Sequence, residues 1–209
     1  MTVFNLYRQA QQKAWHKEID WADDAVVITQ HTSAYAPDLD GDAYVSDLAG
    51  EVATGNGYVQ GGVLLAARTA SYIPANAWPQ QWQPMAPYQY GQIVRPTAGN
   101  GLLFRCVTAG TTGASQPSWP GSGMIAVADG SAAWLGIAAG AISLAASSVQ
   151  WLSYTGTFRY LVISDRTQGA ASAQPLIALS DLGASSTGSG GNLDVNFDPS
   201  GVVALWASA

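Results

Sequence analysis

Residues 25–42 read AVVITQHTSAYAPDLDGD: a β-branched run closed by acidic turn residues, then a loop with aspartates at alternate positions. The run 25–32 has the length and Val/Ile/Thr content of a buried strand. The loop continues as SAYAPDLDGDAYVSDLAGE over 33–51, and GYVQGGVLLAART over 57–69 returns to strand with a Gly61-Gly62 irregularity of the kind a bulge produces. The same signal recurs in TFRYLVISD at 157–165 and PLIALSDLG at 175–183. NLDVNF and VVALWA then flank Asp198-Pro199-Ser200-Gly201, which predicts a hairpin closed by a turn. TQGAASAQ and GASSTGSGGN read as flexible loops by their Gly/Ser content.

The expected class is therefore mainly β, a jelly-roll or immunoglobulin-like β-sandwich with one helix at its N-terminal side. That helix is predicted over residues 3–19, where Phe4, Tyr7, Ala10, Ala14, Trp15 and Ile19 recur at mostly three- and four-residue steps among polar neighbours.

Residues 74–138 change character. They hold four of the eight tryptophans (Trp78, Trp82, Trp119, Trp134) and only Arg95, Arg105 and Asp129 as charges. This composition shift predicts a small aromatic-rich β-module at 74–138 inserted into a discontinuous host sandwich of 1–73 and 139–209; the alternative is one continuous β domain with a long decorated hairpin. Within the module, YQYGQIVRP and GLLFRCVTAGTTG read as two short strands with Val94, Phe104 and Val107 available to face inward. A unit of this size is near the lower limit for a self-sufficient core, so some of its tryptophans must be buried. Trp134, framed by Asp129-Gly130 and small residues, is expected in that core. Trp119, Tyr88 and Trp78 or Trp82 are candidates for contact with a glycan or a protein partner.

Charge narrows the function classes. Eight basic residues stand against fourteen acidic ones, a net charge of −6, which argues against nucleic acid as a partner because such affinity rests on Lys and Arg. One cysteine, Cys106, leaves no internal disulfide and no Cys-based metal spacing, and reads as small core filler. No apolar run has the length of a membrane helix, and the first twenty residues do not read as a secretory signal, so no membrane partner is expected. Asp38, Asp40 and Asp42 resemble the start of a calcium loop, yet the glycine comes one place early and the twelfth position is Ala49, which leaves them a calcium candidate with an incomplete ligand set. His16 and His31 lie in no nucleophile motif, and no phosphate loop or G-x-S-x-G elbow is present, so no cofactor and no enzymatic activity are expected.

Two stretches carry resemblances. TSAYAPDLD (32–40), EVATGNGYVQGG (51–62) and the ending GNLDVNFDPSGVVALW (191–206) resemble a family of tailed-bacteriophage virion structural proteins. Within the module, Tyr88-x-x-Gly91, Phe104-x-Cys106 and the neighbouring tryptophans are similar to a small β-module of phage tail and appendage proteins, and to chitin-binding-type carbohydrate modules. The resemblance implies a virion component, assembled in the host bacterial cytoplasm: a capsid decoration (cement) protein, a head fibre or collar piece, or a tail adhesin. It implies partners among the major capsid protein or the neck and tail proteins, a homo-oligomer with a trimer as the expected state, and host surface polysaccharide as a further ligand in the adhesin case. On that reading Phe4, Tyr7 and Trp15 of the predicted helix are candidate subunit or capsid contacts.

Overall fold

A computed structural model of the chain describes residues 4–122, 124–137, 140–198 and 201–205. In chain order the elements begin with β1 (Asn5–Leu6), α1 (Ala10–Trp15), β2 (Val26–His31), β3 (Val63–Leu64) and β4 (Thr69–Pro74). They continue with β5 (Pro87–Tyr88), β6 (Ile93–Val94), β7 (Phe104–Thr108), β8 (Gly110–Thr111), β9 (Ala126–Asp129) and β10 (Ala132–Gly136). Then come β11 (Gly140–Ala145), β12 (Val149–Asp165), β13 (Leu176–Val195) and β14 (Val203–Leu205). The fold is mainly β, of the sandwich type, built from several antiparallel sheets and one short helix.

The chain divides into two compact units, Met1–Thr69 with Ala146–Phe197, and Ala70–Ala145 with Asp198–Ala209. The first is organised by a five-stranded sheet in the order β1-β13-β12-β2-β3. β2 is buried along its whole length, its Val-Val-Ile-Thr start together with the polar Gln30 and His31, and pairs with β12 from Val26↔Asp165 to His31↔Tyr160. One face of this sheet packs Tyr160, Val162, Leu176 and Leu179 under Tyr7, Ala10 and Tyr35.

The N-terminal segment departs from the expected long helix. Only Ala10–Trp15 is helical, because Asn5 and Leu6 pair instead with Leu179 and Ala178 of β13. The strand fixes Phe4 and Tyr7 in the core, whereas Trp15 is 86% exposed. Of the three proposed contact residues, Trp15 alone presents its side chain to solvent.

GASSTGSGGN also departs from expectation, since it belongs to β13 rather than to a loop. Cross-strand pairs hold it, Thr157↔Thr187 and Gly156↔Gly188 among them. The Tyr154 ring fills the space over both glycines: a Cβ on Gly156 would stand 2.7 Å from the Tyr154 hydroxyl, and one on Gly188 would overlap the ring. An aromatic ring laid across glycine compensates the weak strand preference of that residue.

The second unit contains a four-stranded sheet β6-β7-β10-β9, a three-stranded sheet β14-β11-β4 and the pair β5-β8. β6 and β7 form the expected antiparallel pair, with Val94 opposite Phe104. Phe104 and Cys106 point inward, and by the two-residue period of a strand Val107 faces away. The predicted hairpin after β13 is not formed as such: a turn does link Asp198 and Gly201, but β14 pairs with β11, Ile142 opposite Leu205. The Gly201 N–H donates to the Asp198 carbonyl at 2.8 Å, and Pro199 and Ser200 between them lie outside the described residues.

Candidate functional site

The aromatic residues proposed as a contact surface are mostly committed to cores. Trp78 packs with Ile93, Leu103 and Ile137 and donates its indole N–H to the Ile93 carbonyl at 3.1 Å. Trp82, Tyr88 and Trp134 pack with Val94, Phe104 and Cys106 in a second cluster. The Tyr88 and Trp134 rings meet edge to face at 4.9 Å, and the Tyr88 hydroxyl accepts from the Gln83 N–H at 3.0 Å. A buried ring offers no face for stacking on a sugar, so Trp78, Trp82 and Tyr88 hold this unit together from inside. Trp119 is half-buried, 4.3 Å from the Phe104 ring centroid and 6.0 Å from that of Trp134, with its indole nitrogen enclosed and without an acceptor. Among the described residues, the exposed aromatics of this unit are Tyr72 and Tyr90, the latter beneath the Arg105 guanidinium at 5.4 Å. Tyr90 follows Tyr88 by two residues, and of the two only the buried one was a candidate from the sequence.

Asp129 ties the second cluster together. Its Oδ2 accepts the indole N–H of Trp82 at 2.7 Å and of Trp134 at 2.9 Å, while Oδ1 accepts the Gly113 N–H at 2.8 Å. Asp129 ends β9, and Gly130 follows at φ +63°, where an added Cβ would strike the Thr111 carbonyl. Glycine is thus required at the first position of this two-residue hairpin loop.

In the first unit the aspartate loop caps itself. Asp38 Oδ1 accepts the N–H groups of Asp40 at 3.0 Å and Gly41 at 2.9 Å, and these bonds hold the Asp38 carboxyl below its usual range. Asp42 Oδ2 accepts the Tyr35 hydroxyl at 2.6 Å and the Asp38 N–H at 3.0 Å. Tyr35 in turn meets the Tyr7 hydroxyl at 2.9 Å. Among the described residues no group of three or more His, Cys, Asp or Glu side chains is arranged to hold a metal ion. Asp38 and Asp42 direct their oxygens to this chain's own donors, which is the Asx-turn use of such residues.

Where the segment after this loop meets the end of β2, a polar pocket of about 260 Å³ opens, lined by His31, Glu51, Gln60 and Arg166 with Val45 and Leu48 as apolar wall. Glu51 is fixed by its Oε1, which accepts the Tyr58 hydroxyl at 2.9 Å and the Gly61 N–H at 2.6 Å. Gly62, at φ +78°, lies against the Ile28 carbonyl where a Cβ would overlap, so the glycine pair lets this loop close on β2. His31 Nδ1 donates to the Ala49 carbonyl at 2.8 Å, and Nε2 lies 3.0 Å from Thr29 Oγ1. The bond to Ala49 places a proton on Nδ1, while the single proton of the Thr29 hydroxyl is shared between Nε2 and the Val162 carbonyl at 3.3 Å. Burial lowers the His31 pKa, the Ala49 carbonyl opposing it, which favours the neutral ring. Arg166 leaves the end of β12 with Nε donating to Ser164 Oγ at 2.9 Å.

Glu51, Tyr58 and Gly61 are visible in the sequence as part of one motif, whereas no local pattern marks His31 or Arg166. They lie more than a hundred residues apart and meet only through the pairing of β2 with β12. Comparison with protein families, with curated proteins and with solved structures gives no match.

Proposed function

We propose that the chain is a non-enzymatic structural component of a tailed-phage virion, a capsid decoration (cement) or head-fibre protein on the outside of the particle. The observation that carries this reading is the use made of the residues behind the resemblance. Tyr35, Asp38 and Asp42 of the TSAYAPDLDGD stretch lock one loop, and Glu51, Tyr58, Gly61 and Gly62 of EVATGNGYVQGG lock the next onto β2. The shared pattern is thus a scaffold pattern, as expected where copies must present one rigid surface to their neighbours. Low charge, an acidic balance and the exposed Gly/Ser/Thr strand of β13 support an outward-facing assembly protein.

Immunoelectron microscopy of phage particles with antibody against this chain tests the reading. Regular labelling of the head supports decoration, and label at the neck or tail supports instead an appendage that contacts host glycan. Particles without label overturn the virion assignment. Sedimentation of the purified chain, whose mass is 21.7 kDa, distinguishes a trimer of about three times that mass from a monomer.

A further inference from the structure

The Arg166 guanidinium is answered only in part by the protein around it. Nε and Nη1 donate to neutral acceptors, Ser164 Oγ and, at 3.5 Å, Gln174 Oε1, and Nη2 is enclosed without an acceptor. Among the described residues no carboxylate lies within ion-pair distance of it. A half-buried cation in this state is costly unless something polar completes its shell. Glu51, on the same pocket wall, spends Oε1 on two donors of its own loop and takes none on Oε2 among the described residues. Burial disfavours the charged form of His31, which leaves Glu51 and Arg166 as the opposed charges of the pocket wall.

We propose that this pocket binds a vicinal diol of a neutral saccharide. Adjacent ring hydroxyls each donate and accept, so one supplies an oxygen to Nη1, whose own acceptor stands at 3.5 Å, while its neighbour gives a proton to the free carboxylate oxygen. An anion would satisfy Arg166 and be repelled by Glu51; a purely apolar ligand would strand both. Val45 and Leu48 offer the apolar contact that the C–H face of a pyranose takes. At about 260 Å³ the pocket is below the range of drug-sized sites, about 300 Å³ and upward, and suits a single sugar ring. The site is distinct from the aromatic residues of the other unit, whose rings are consumed by packing. It does not depend on the particle assignment: absence of label on virions leaves saccharide binding untouched, and failure to bind saccharide leaves labelling untouched.

Titration of the full chain with methyl glucoside, methyl mannoside, methyl galactoside, their 2-, 3- and 4-deoxy analogues, oligosaccharides ending in the same sugars, glycine and acetate, followed by saturation-transfer NMR and calorimetry, tests the proposal. Saturable binding of at least one pyranoside is expected, with at least a tenfold loss for one or more of its deoxy analogues, about the factor set by one unpaired polar group. Arg166→Lys keeps the charge and loses the planar fork, so it is expected to weaken binding about tenfold or more. Gln60→Trp, at an exposed mouth residue, is expected to block the pocket with the melting temperature unchanged, which separates occlusion from misfolding. Tighter binding of an oligosaccharide than of its terminal methyl glycoside identifies a chain end as the ligand, and equal binding identifies a free sugar. No pyranoside bound up to about 50 mM, glycine or acetate bound in preference, or binding unaltered in Gln60→Trp would each overturn it.

Discussion

Replacing Asp129 by alanine removes one acceptor group from three donors, the buried indole N–H groups of Trp82 and Trp134 and the half-buried backbone N–H of Gly113. Each stranded donor costs about 1–3 kcal/mol, so the variant is expected to lose about 3–9 kcal/mol. That is a large part of the roughly 5–15 kcal/mol that holds a domain folded. Asp129→Asn retains one oxygen but turns an amide N–H₂ toward donors, and is expected to lose somewhat less, about 2–4 kcal/mol. Urea unfolding followed by tryptophan fluorescence reads both: with a slope near 2 kcal/mol/M, a loss of 4 kcal/mol moves the midpoint down by about 2 M. The indole N–H resonances of Trp82 and Trp134 are expected to move together in either variant. A midpoint for Asp129→Ala within about 0.3 M of the unsubstituted chain would refute the assignment of this carboxylate as the tie of the cluster.

Three further outcomes follow from single contacts. Gln30 is fully buried with both amide atoms lacking a hydrogen-bond partner among the described residues, so Gln30→Met, similar in shape and without those groups, is expected to stabilise the chain by about 1–2 kcal/mol in the same urea assay; destabilisation would show that the amide is satisfied in solution. Gly188→Ala drives a methyl into the Tyr154 ring, and thermal unfolding is expected to show a loss of about 1–3 kcal/mol, relieved by Tyr154→Leu in the double variant. His31 has its pKa lowered in the folded chain, mainly by burial, so as pH falls below about 6.5 the unfolded chain takes up a proton that the folded chain resists. Stability is therefore expected to decline from about pH 6.5 down to the folded pKa and then level off with respect to this group; His31→Gln is expected to flatten that slope, and an unchanged pH profile would refute it.

The buried strand β2, the core role of Trp134 and the pairing of β6 with β7 were legible because each depends on local pattern: a β-branched run, an Asp-Gly turn, two apolar segments around glycine. What failed locally was decided at a distance. Asn5 and Leu6 sit in an acceptable helical pattern, but an open edge on β13 took them as a strand. GASSTGSGGN has the composition of a linker and is a strand because Tyr154 and β12 lie across it. The tryptophans looked like a surface because proline-rich surroundings suggest loops, yet a small unit with few other large side chains buries them. Arg166 and His31 could not be joined from sequence, since neither carries a spacing that refers to the other.

The route of the chain through its two units sets a schedule for synthesis. β1 pairs with β13, whose residues follow about 170 positions later, and the sheet of the second unit takes its edge strand β14 from beyond β13. At roughly 5–20 residues per second a ribosome needs about ten to thirty seconds between the first partner and the second. Through that interval β1 and β4 have emerged, while β13 and β14, which belong to the same two sheets, have not. Each of these sheets is thus completed only once residues 176–205 have been made, and pairings of such sequence separation slow folding.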